Sequence, residues 1–398
     1  MLPEIAIDPG DPAFFENPYP AYVKMQALGQ VFYWPHYGHV CFPHYRDVRE
    51  ILTGRRFGRE NPLPALVPAH LAPFYHFEAH SLLEREPPDH TRLRRLVNRA
   101  FTSRAVAELR PSIRYLANQL IDRFGENSVS GNVDLIAHYA TPIPVLTIAA
   151  LLGTPLDEAD RMLAWSHAMV AMYQHNRSAE IEAKAVQATQ EFSAFMAECV
   201  ARKRREPQQD LLSELIAVEE SGDRLSHDEL ITTAILLMNA GHEATVHAIG
   251  NGVHILLRDG VAARSWLQDP ASIERAAEEL MRFAPPLHMF TRFAMDDLEY
   301  GGVRLAKGDV VGVLLAAANR DPLVFAAPER LDLARRPATI MSFGAGIHFC
   351  VGAPLARLEM SIALEVLFTR LPKLQLAAAP RFADRYHFHG LEALWVNH

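Results

Sequence analysis

Hydrophobic residues follow a helical spacing through the middle of this 398-residue chain and a strand-like spacing near both ends. From about residue 87 to residue 260, apolar residues recur three and four positions apart, which predicts amphipathic helices. The strand-like runs occupy residues 31–34, 39–42, 298–300, 303–305 and 310–315. Turn residues such as Pro35–Gly38 and Gly301-Gly302 separate them. We therefore predict a mainly α-helical fold with small β-sheets.

One predicted helix is unusually long. Ser226 and Glu229 have the spacing of a capping box, and the helical pattern then continues to Arg258. Its middle, Ala240–Thr245, places a glycine beside a glutamate, which is costly inside a buried helix. Two interpretations follow. The helix packs closely against another with Glu243 on a solvated face, or a ligand lies against its backbone.

Composition and charge limit the class of protein. Hydrophobic residues make up 49% and charged residues 22% of the chain, which is typical of a globular protein. The formal net charge of −8 argues against a nucleic-acid binder. No apolar run reaches the roughly 20 residues that cross a bilayer, and the N-terminal segment lacks the apolar core of a signal peptide. With three widely spaced cysteines, these features predict a soluble cytoplasmic protein.

The segment with the clearest chemistry surrounds Cys350. Glycines at 344, 346 and 352 crowd around this cysteine, just before a helix predicted over Leu355–Leu371. A helix N-terminus offers unpaired N–H groups and positive potential, which favour a thiolate. A lone cysteine cannot hold zinc. The loop is therefore expected to present one thiolate to a large, flat partner, and the alternative is a buried cysteine in a glycine-rich turn.

The pattern Phe343-Gly-x-Gly-x-His-x-Cys-x-Gly352 resembles the haem-binding loop of the cytochrome P450 family. The resemblance implies that Cys350 is the axial thiolate ligand of a haem b iron, a ligation that favours O–O cleavage. It also implies that Phe343 shields the sulfur, that His348 contacts a haem propionate, and that Gly344 and Gly352 belong to the cofactor-binding loop.

Further motifs extend the resemblance over nearly the whole chain. It implies a single P450 domain over residues 1–398, with the long central helix over the haem. Glu279 and Arg282 match the family's buried ExxR ion pair, and Arg330 matches the downstream arginine that joins it. The residues matching the family's other propionate contacts are His90, Arg94 and Arg292.

In the long helix, Ala240–Thr245 resembles the family's oxygen-binding motif. The resemblance assigns Gly241 to the opening beside bound dioxygen and Glu243 to proton delivery, but Ala244 stands where the family usually has threonine. Thr245 is adjacent, yet one residue is about 100° around a helix. Three explanations compete: a substrate hydroxyl, ordered water, or a local distortion that lets Thr245 reach. We favour water or substrate assistance.

The resemblance also outlines a substrate pocket with an apolar and aromatic lining, which implies a hydrophobic small-molecule substrate. His288 is expected either to give that pocket a polar group or to point into solvent. The residues assigned to the pocket are Phe74, Tyr75, Phe77, Met238, Leu287, His288, Met289, Phe290, Phe388 and Leu391.

The resemblance predicts a haem-thiolate monooxygenase that uses dioxygen and two electrons. Ferredoxin and an NAD(P)H-dependent ferredoxin reductase are the expected electron donors, and Arg92, Arg95 and Arg99 are expected to form a basic docking face. Two alternatives remain at this point. The missing alcohol at Ala244 suggests a peroxide-driven oxygenase, and a non-catalytic haem-binding sensor is the alternative from another class.

Overall fold

The structure is a computed structural model that describes residues 2–63, 66–174, 177–221, 225–336 and 339–397. Helices dominate, as predicted. The α-helices are α1 (Pro12–Phe15), α2 (Tyr19–Ala27), α3 (Tyr45–Thr53), α4 (Ala72–Ala79), α5 (Asp89–Asn98), α6 (Ser103–Glu108), α7 (Arg110–Asp122), α8 (Pro142–Leu152), α9 (Ala159–Val170), α10 (Ala179–Arg205), α11 (Leu211–Glu220), α12 (His227–Arg258), α13 (Pro270–Phe283), α14 (Leu315–Ala318) and α15 (Ala353–Arg370).

The strands are short and lie near the two ends of the chain, with one exception. They are β1 (Phe32–Trp34), β2 (His39–Phe42), β3 (Phe57–Gly58), β4 (Asn132–Asp134), β5 (Met289–Ala294), β6 (Leu298–Tyr300), β7 (Val303–Leu305), β8 (Val310–Leu314), β9 (Gln375–Leu376) and β10 (Trp395–Asn397). The predicted strands at 31–34, 39–42, 298–300, 303–305 and 310–315 are confirmed to within one residue. Strands β3, β4, β5, β9 and β10 were not predicted. Strand β4, for example, has only three residues, which carry too little alternation to be recognised.

The described residues form two compact units. One unit comprises Met1–Leu63, Val106–Ile143 and Ala244–His398, and is called unit 1 here. The other, unit 2, comprises Pro64–Ala105 and Pro144–Glu243. Helix α12 begins in unit 2, and its residues from Ala244 onward belong to unit 1.

Unit 1 is built around a five-stranded sheet of order β1-β2-β8-β5-β3. Strand β8 lies at its centre, parallel to β2 and antiparallel to β5. Alternate residues of β2 enter different apolar clusters: Val40 and Phe42 pack with Val311, whereas Cys41 packs with Trp34. The sheet is therefore buried on both faces, which explains the almost uninterrupted apolar run of β8.

Unit 2 is helical, and α10 packs against α4, α9 and α11. Ser178 caps α10 by accepting a hydrogen bond from the Ile181 N–H at 3.2 Å. Trp165 of α9 places its ring centroid 5.1 Å from that of Phe192 and 5.5 Å from that of Phe195, both on α10. These aromatic contacts pack α9 against α10.

Helix α12 confirms the long helix that the sequence predicts, with 32 residues from His227 to Arg258. Its capping box is present: the Glu229 N–H donates to Ser226 Oγ at 3.2 Å, and the Ser226 N–H donates to Glu229 Oε2 at 2.8 Å. The helix ends in a Schellman motif, because Gly260 has a φ of 59° and the Val261 N–H donates to the Leu256 carbonyl at 3.0 Å.

Within the described parts of the chain, no helix is both long enough and apolar enough to cross a membrane.

Candidate cofactor-binding site

The loop that presents Cys350 depends on two glycines in the left-handed region. Gly344 has a φ of 68° and Gly346 a φ of 75°. A Cβ on Gly346 would collide with the main-chain oxygen of Leu52, and one on Gly344 would lie 3.3 Å from the Phe290 ring. The loop thus packs directly on α3 and β5. Gly352 differs, because its φ is −81° and any residue adopts that conformation.

Main-chain hydrogen bonds fix the position of Cys350. Its N–H donates to the Phe343 carbonyl at 3.0 Å, and its carbonyl accepts the Ala353 N–H at 3.3 Å, where α15 begins. The Cys350 side chain is exposed, whereas Cys41 and Cys199 are buried. Burial raises the thiol pKa of both Cys41 and Cys199. Of the three sulfurs, only that of Cys350 is thus accessible to a large ligand, which excludes the buried-cysteine alternative.

The donor chemistry fits thiolate-ligated haem. A single exposed thiol lies two residues before Gly352, the N-cap of the 18-residue helix α15. Gly344 and Gly346 have no side chains, so the preceding loop packs closely against its neighbours. One soft sulfur ligand with this access suits haem iron and does not suit tetrahedral zinc.

Phe343 is held by a charged neighbour. The Arg357 guanidinium lies 4.3 Å from its ring centroid, and Arg357 in turn binds Glu278 through hydrogen bonds of 2.7 and 2.9 Å. The ring is 9% exposed. This cation–π contact orients the aromatic side chain beside the cysteine loop.

Arg292 and His348, which the sequence assigns to propionates, both lie in unit 1. Arg292 is buried in β5, donates to the Thr291 carbonyl at 2.7 Å, and lies over the Phe290 ring. Since a Cβ on Gly344 would lie against the Phe290 ring, strand β5 runs alongside the cysteine loop. His348 is half-buried in the 3-10 turn Gly346–His348.

His90 and Arg94 lie on α5 in unit 2, one turn apart as the spacing predicts. His90 is buried, and the half-buried Arg94 donates from Nε to Asn98 Oδ1 at 3.1 Å. The structure therefore brings this pair together on one helix.

The predicted basic face on α5 needs a correction at Arg92. Its guanidinium donates to both carboxylate oxygens of Glu229, at 2.6 and 2.9 Å, and to Asp89 at 3.0 Å. These bonds raise the pKa of Arg92 and lower that of Glu229. Two carboxylates thus neutralise Arg92, and only Arg95 and Arg99 are exposed as predicted.

Gly241 is explained by helix packing. A Cβ at this position would lie 2.9 Å from Ile148 Cγ1 of α8, tighter than ordinary contact. Close packing is therefore right for Gly241, but the solvated face expected with it is wrong, because Glu243 is only 4% exposed. His167 Nε2 of α9 lies 3.3 Å from Glu243 Oε2. Sequence reasoning missed His167, since no spacing connects it to α12.

Ala244 and Thr245 lie in the part of α12 that belongs to unit 1. Ala244 is half-buried and Thr245 is 6% exposed. The helix is α-helical throughout His227–Arg258. The local distortion considered for Thr245 is therefore not present, and the two side chains point about 100° apart.

The Glu279–Arg282 pair is buried and bidentate. Arg282 donates from Nε to Glu279 Oε2 at 2.7 Å and from the terminal nitrogen Nη2 to Oε1 at 2.8 Å, and both side chains are 1% exposed. Arg282 also donates to the carbonyls of Asn319 and Pro328. This network ties α13 to the segment that follows α14.

The arginine that joins this pair is Arg335, so the assignment of Arg330 is wrong. Arg335 Nε donates to Glu279 Oε1 at 3.1 Å. The Arg330 side chain is exposed, and its contribution is its main-chain oxygen, which accepts from Arg282 and Arg335 at 3.3 and 3.2 Å. The chain turns between Arg330 and Arg335. The side chain that joins the Glu279–Arg282 pair therefore comes from a residue five positions after the one that the motif predicts.

Of the residues assigned to a substrate pocket, some lie in the core and others are partly accessible to solvent. Met289 is 1% exposed and packs with Trp34 and Leu314 in the core, on the face of β5 opposite Phe290, so its pocket assignment is wrong. Leu287 and Phe388 are half-buried and form an isolated bridge. In unit 2, Phe74, Phe77 and Met238 are buried, and Tyr75 is half-buried.

His288 is fully buried, which excludes the solvent alternative. Nε2 donates to the Pro285 carbonyl at 3.0 Å, because a carbonyl only accepts, and Nδ1 therefore accepts from the Tyr22 hydroxyl at 2.6 Å. Its ring stands 4.4 Å from that of His389, which is also buried and donates to the Phe15 carbonyl. Both ring nitrogens of His288 are thus used by the protein, and burial lowers its pKa well below the usual range.

The glycine conformations yield a first prediction. Gly346→Ala should lower the free energy of unfolding by about 2–5 kcal/mol, since a left-handed alanine is strained and its Cβ overlaps Leu52. Gly38→Ala is the matched control: Gly38 has a φ of 69° with open space around it, so strain alone should cost about 1 kcal/mol. Urea unfolding of both variants measures the difference, and equal losses would contradict the contact with Leu52.

The comparisons with known proteins agree with this site. The model of the family "Cytochrome P450" matches residues 26–260 and 273–372. The polyketide biosynthesis cytochrome P450 PksS of Bacillus subtilis is 38% identical over 325 residues, covering 81% of this chain and 78% of that protein. Vitamin D(3) 25-hydroxylase of Pseudonocardia autotrophica is 40% identical over 374 residues, covering 92% of this chain and 89% of that protein.

A solved structure gives the same result at the level of the fold. The crystal structure of P450BioI in complex with a hexadec-9Z-enoic acid ligated acyl carrier protein superposes with a TM-score of 0.90 and 32% sequence identity. The match covers 97% of this chain and 99% of that chain.

Proposed function

This chain belongs to the cytochrome P450 family and is an oxidoreductase of its monooxygenase class, and on that premise we propose how its own residues carry the reaction. The cofactor is haem b, held by the Cys350 thiolate. The observation that carries the proposal is the single exposed thiol at the end of a glycine loop and before the N-terminus of α15.

When bound, the haem supplies the activation of dioxygen with two electrons. The protein's part begins with orientation. His348 and Arg292, and separately His90 and Arg94 on α5, are proposed to contact haem propionates, because cationic and polar groups offset the cost of burying a carboxylate. Phe343, held by Arg357, keeps water from the sulfur.

Proton delivery is assigned to the middle of α12. Glu243 is buried beside His167, whose side chain is 49% exposed, so a proton can pass from solvent to the Glu243 carboxylate through this imidazole. Gly241 lets α12 lie close to Ile148, which positions Glu243. Because Ala244 carries no hydroxyl, an ordered water or a substrate hydroxyl takes the place of the usual threonine.

The substrate proposed is a hydrophobic small molecule. Half-buried apolar side chains at Leu287, Phe290 and Phe388 support this proposal, and so do relatives named for polyketide biosynthesis and for vitamin D(3) hydroxylation. Electrons come from a ferredoxin and its NAD(P)H-dependent reductase, with Arg95 and Arg99 as candidate docking residues. One domain over residues 1–398 and a cytoplasmic location complete the proposal.

The experiment that tests this function compares two sources of oxidising equivalents. Purified haem-loaded protein is supplied either with dioxygen, a surrogate ferredoxin, its reductase and NADPH, or with hydrogen peroxide alone, across a panel of hydrophobic compounds that shift the haem spin state. Product only with the electron-transfer chain supports the monooxygenase. Product with peroxide alone would favour the peroxide-driven oxygenase, and spin-state binding without product from either supply would favour the sensor.

The missing hydroxyl gives a second prediction. Ala244→Thr should raise the product formed per NADPH about fivefold and lower peroxide release, because one added hydrogen bond is worth about 1 kcal/mol. The variant Ala244→Val has the same shape without the hydroxyl and is the control. Product, NADPH and peroxide are measured together. Equal coupling in the Thr and Val variants would show that the hydroxyl plays no part here.

A further inference from the structure

A cluster of two imidazoles and one carboxylate lies within unit 2, where α9 meets the middle of α12. His167 Nε2 lies 3.3 Å from Glu243 Oε2, and His242 Nε2 lies 3.5 Å from the same oxygen. All three potential ligand atoms lie within 4.8 Å of one another. From this arrangement we propose that His167, His242 and Glu243 form a binding site for a divalent transition metal, with zinc as the best match.

Two of the ligand–ligand distances are close to those of a tetrahedral metal site. With metal–ligand bonds of about 2.0–2.1 Å, the ligand atoms of a tetrahedron lie roughly 3.3–3.4 Å apart. The two separations from Glu243 Oε2 come close to that spacing. Two histidines and one carboxylate also form a ligand set that holds zinc in enzymes, with the fourth position left for water.

The tautomer of His242 points to a cation. Its Nδ1 lies 2.8 Å from the Met238 carbonyl, which can only accept, so Nδ1 carries the hydrogen. Nε2 then directs its lone pair towards the Glu243 carboxylate. Nε2 makes no hydrogen bond, and the side chain is fully buried. A buried lone pair facing a carboxylate requires either a proton or a metal ion between them.

The surroundings of His242 are typical of a metal ligand. Metal-binding histidines usually donate their other N–H to a carbonyl or carboxylate, which fixes the ring and raises its basicity. The Met238 carbonyl does this for His242. His167 is 49% exposed on α9, so the third ligand also gives the ion a path from solvent.

A second histidine cluster in unit 2 provides the comparison. His76 Nε2 lies 3.2 Å from Asp228 Oδ2, and His80 completes the group. His76 and Asp228 are exposed, and no member of this group is buried. Water can solvate these exposed ligands when no metal is bound, so an empty site costs little free energy. The site at Glu243 is therefore expected to bind zinc more tightly.

Zinc at this site would occupy the carboxylate to which we assign proton delivery. Turnover should then fall as the site fills, and that consequence rests on the proposed function. Metal binding itself does not rest on it, since binding is measured without electrons or substrate. If the thiolate spectrum is absent while zinc still binds through His167, this site stands and the proposed function falls.

The test uses the haem-loaded full chain, stripped with a chelator and titrated with zinc chloride in a calorimeter. One zinc ion per chain is expected at the tight site, and His167→Ala should weaken it at least tenfold. His76→Ala, which removes the exposed cluster, should leave the tight site unchanged. His167 is an exposed residue, so its replacement tests the site without threatening the fold.

X-ray absorption at the zinc edge identifies the ligands, and a first shell of nitrogen and oxygen with two imidazoles is expected. The proposal is overturned if wild type binds zinc no more tightly than His167→Ala. It is equally overturned if His76→Ala abolishes the binding. In the first case a proton alone bridges His242 and Glu243, and in the second the ion prefers the exposed cluster.

Discussion

Replacing Cys350 with serine is expected to abolish the red-shifted Soret band of the reduced, carbon monoxide-bound protein and to lower product formation to background. A serine alcohol stays protonated where a thiol ionises, so it cannot donate the same electron density to iron. The loop itself should survive, because its conformation is set by Gly344, Gly346 and main-chain hydrogen bonds. The measurement is the difference spectrum, with haem content determined on the same sample.

Cys199→Ala is the matched control for this variant. Cys199 is buried in α10, and its loss should cost some stability while leaving the spectrum intact. A Cys350→Ser protein that kept the red-shifted band would show that another residue binds the iron. That outcome would remove the central support of the proposed function.

Arg282→Ala is expected to lower the free energy of unfolding by about 3–5 kcal/mol, the typical loss when one partner of a buried ion pair is removed. The Glu279 carboxylate, 1% exposed, would lose its bidentate partner. The carbonyls of Asn319 and Pro328 would lose a donor as well. Urea unfolding of the haem-loaded protein measures the effect, and a loss below about 1 kcal/mol would contradict a shared buried network.

The correction from Arg330 to Arg335 can be tested in the same assay. Arg335→Ala removes a charged hydrogen bond to Glu279 and should cost about 1.5–3 kcal/mol. Arg330→Ala keeps the main-chain oxygen that Arg282 uses, and should change stability by less than about 0.5 kcal/mol. A larger loss of stability in Arg330→Ala than in Arg335→Ala would show that the position given by the family motif is right and that the contact between Arg335 and Glu279 is wrong.

The elements that the sequence predicts best are those with local causes. The capping box at Ser226 and the left-handed Gly260 define the two ends of α12, because caps and left-handed glycines act over a few residues. The cysteine loop is predictable for the same reason. Its glycines, its cysteine and the following helix lie within one short segment.

The features that the sequence did not reveal depend on distant contacts. His167 lies beside Glu243 but belongs to another helix, and nothing in the sequence near either residue indicates this contact. Gly241 is needed because Ile148 lies against it, and α8 is far away in sequence. Met289 and Phe290 are neighbours in the chain, yet the pleat of β5 sends one into the core and the other towards the cysteine loop.

The burial of His288 and His389 also has a consequence for acid stability. Burial lowers the pKa of His389 to about 4 and that of His288 well below 6.5, so both stay neutral in the folded protein. Below about pH 6.5 the unfolded chain takes up a proton at each, whereas the folded chain does not. Each imidazole then removes about 1.4 kcal/mol of stability per pH unit until its folded pKa is reached. Mild acid therefore destabilises this fold before its carboxylates begin to titrate.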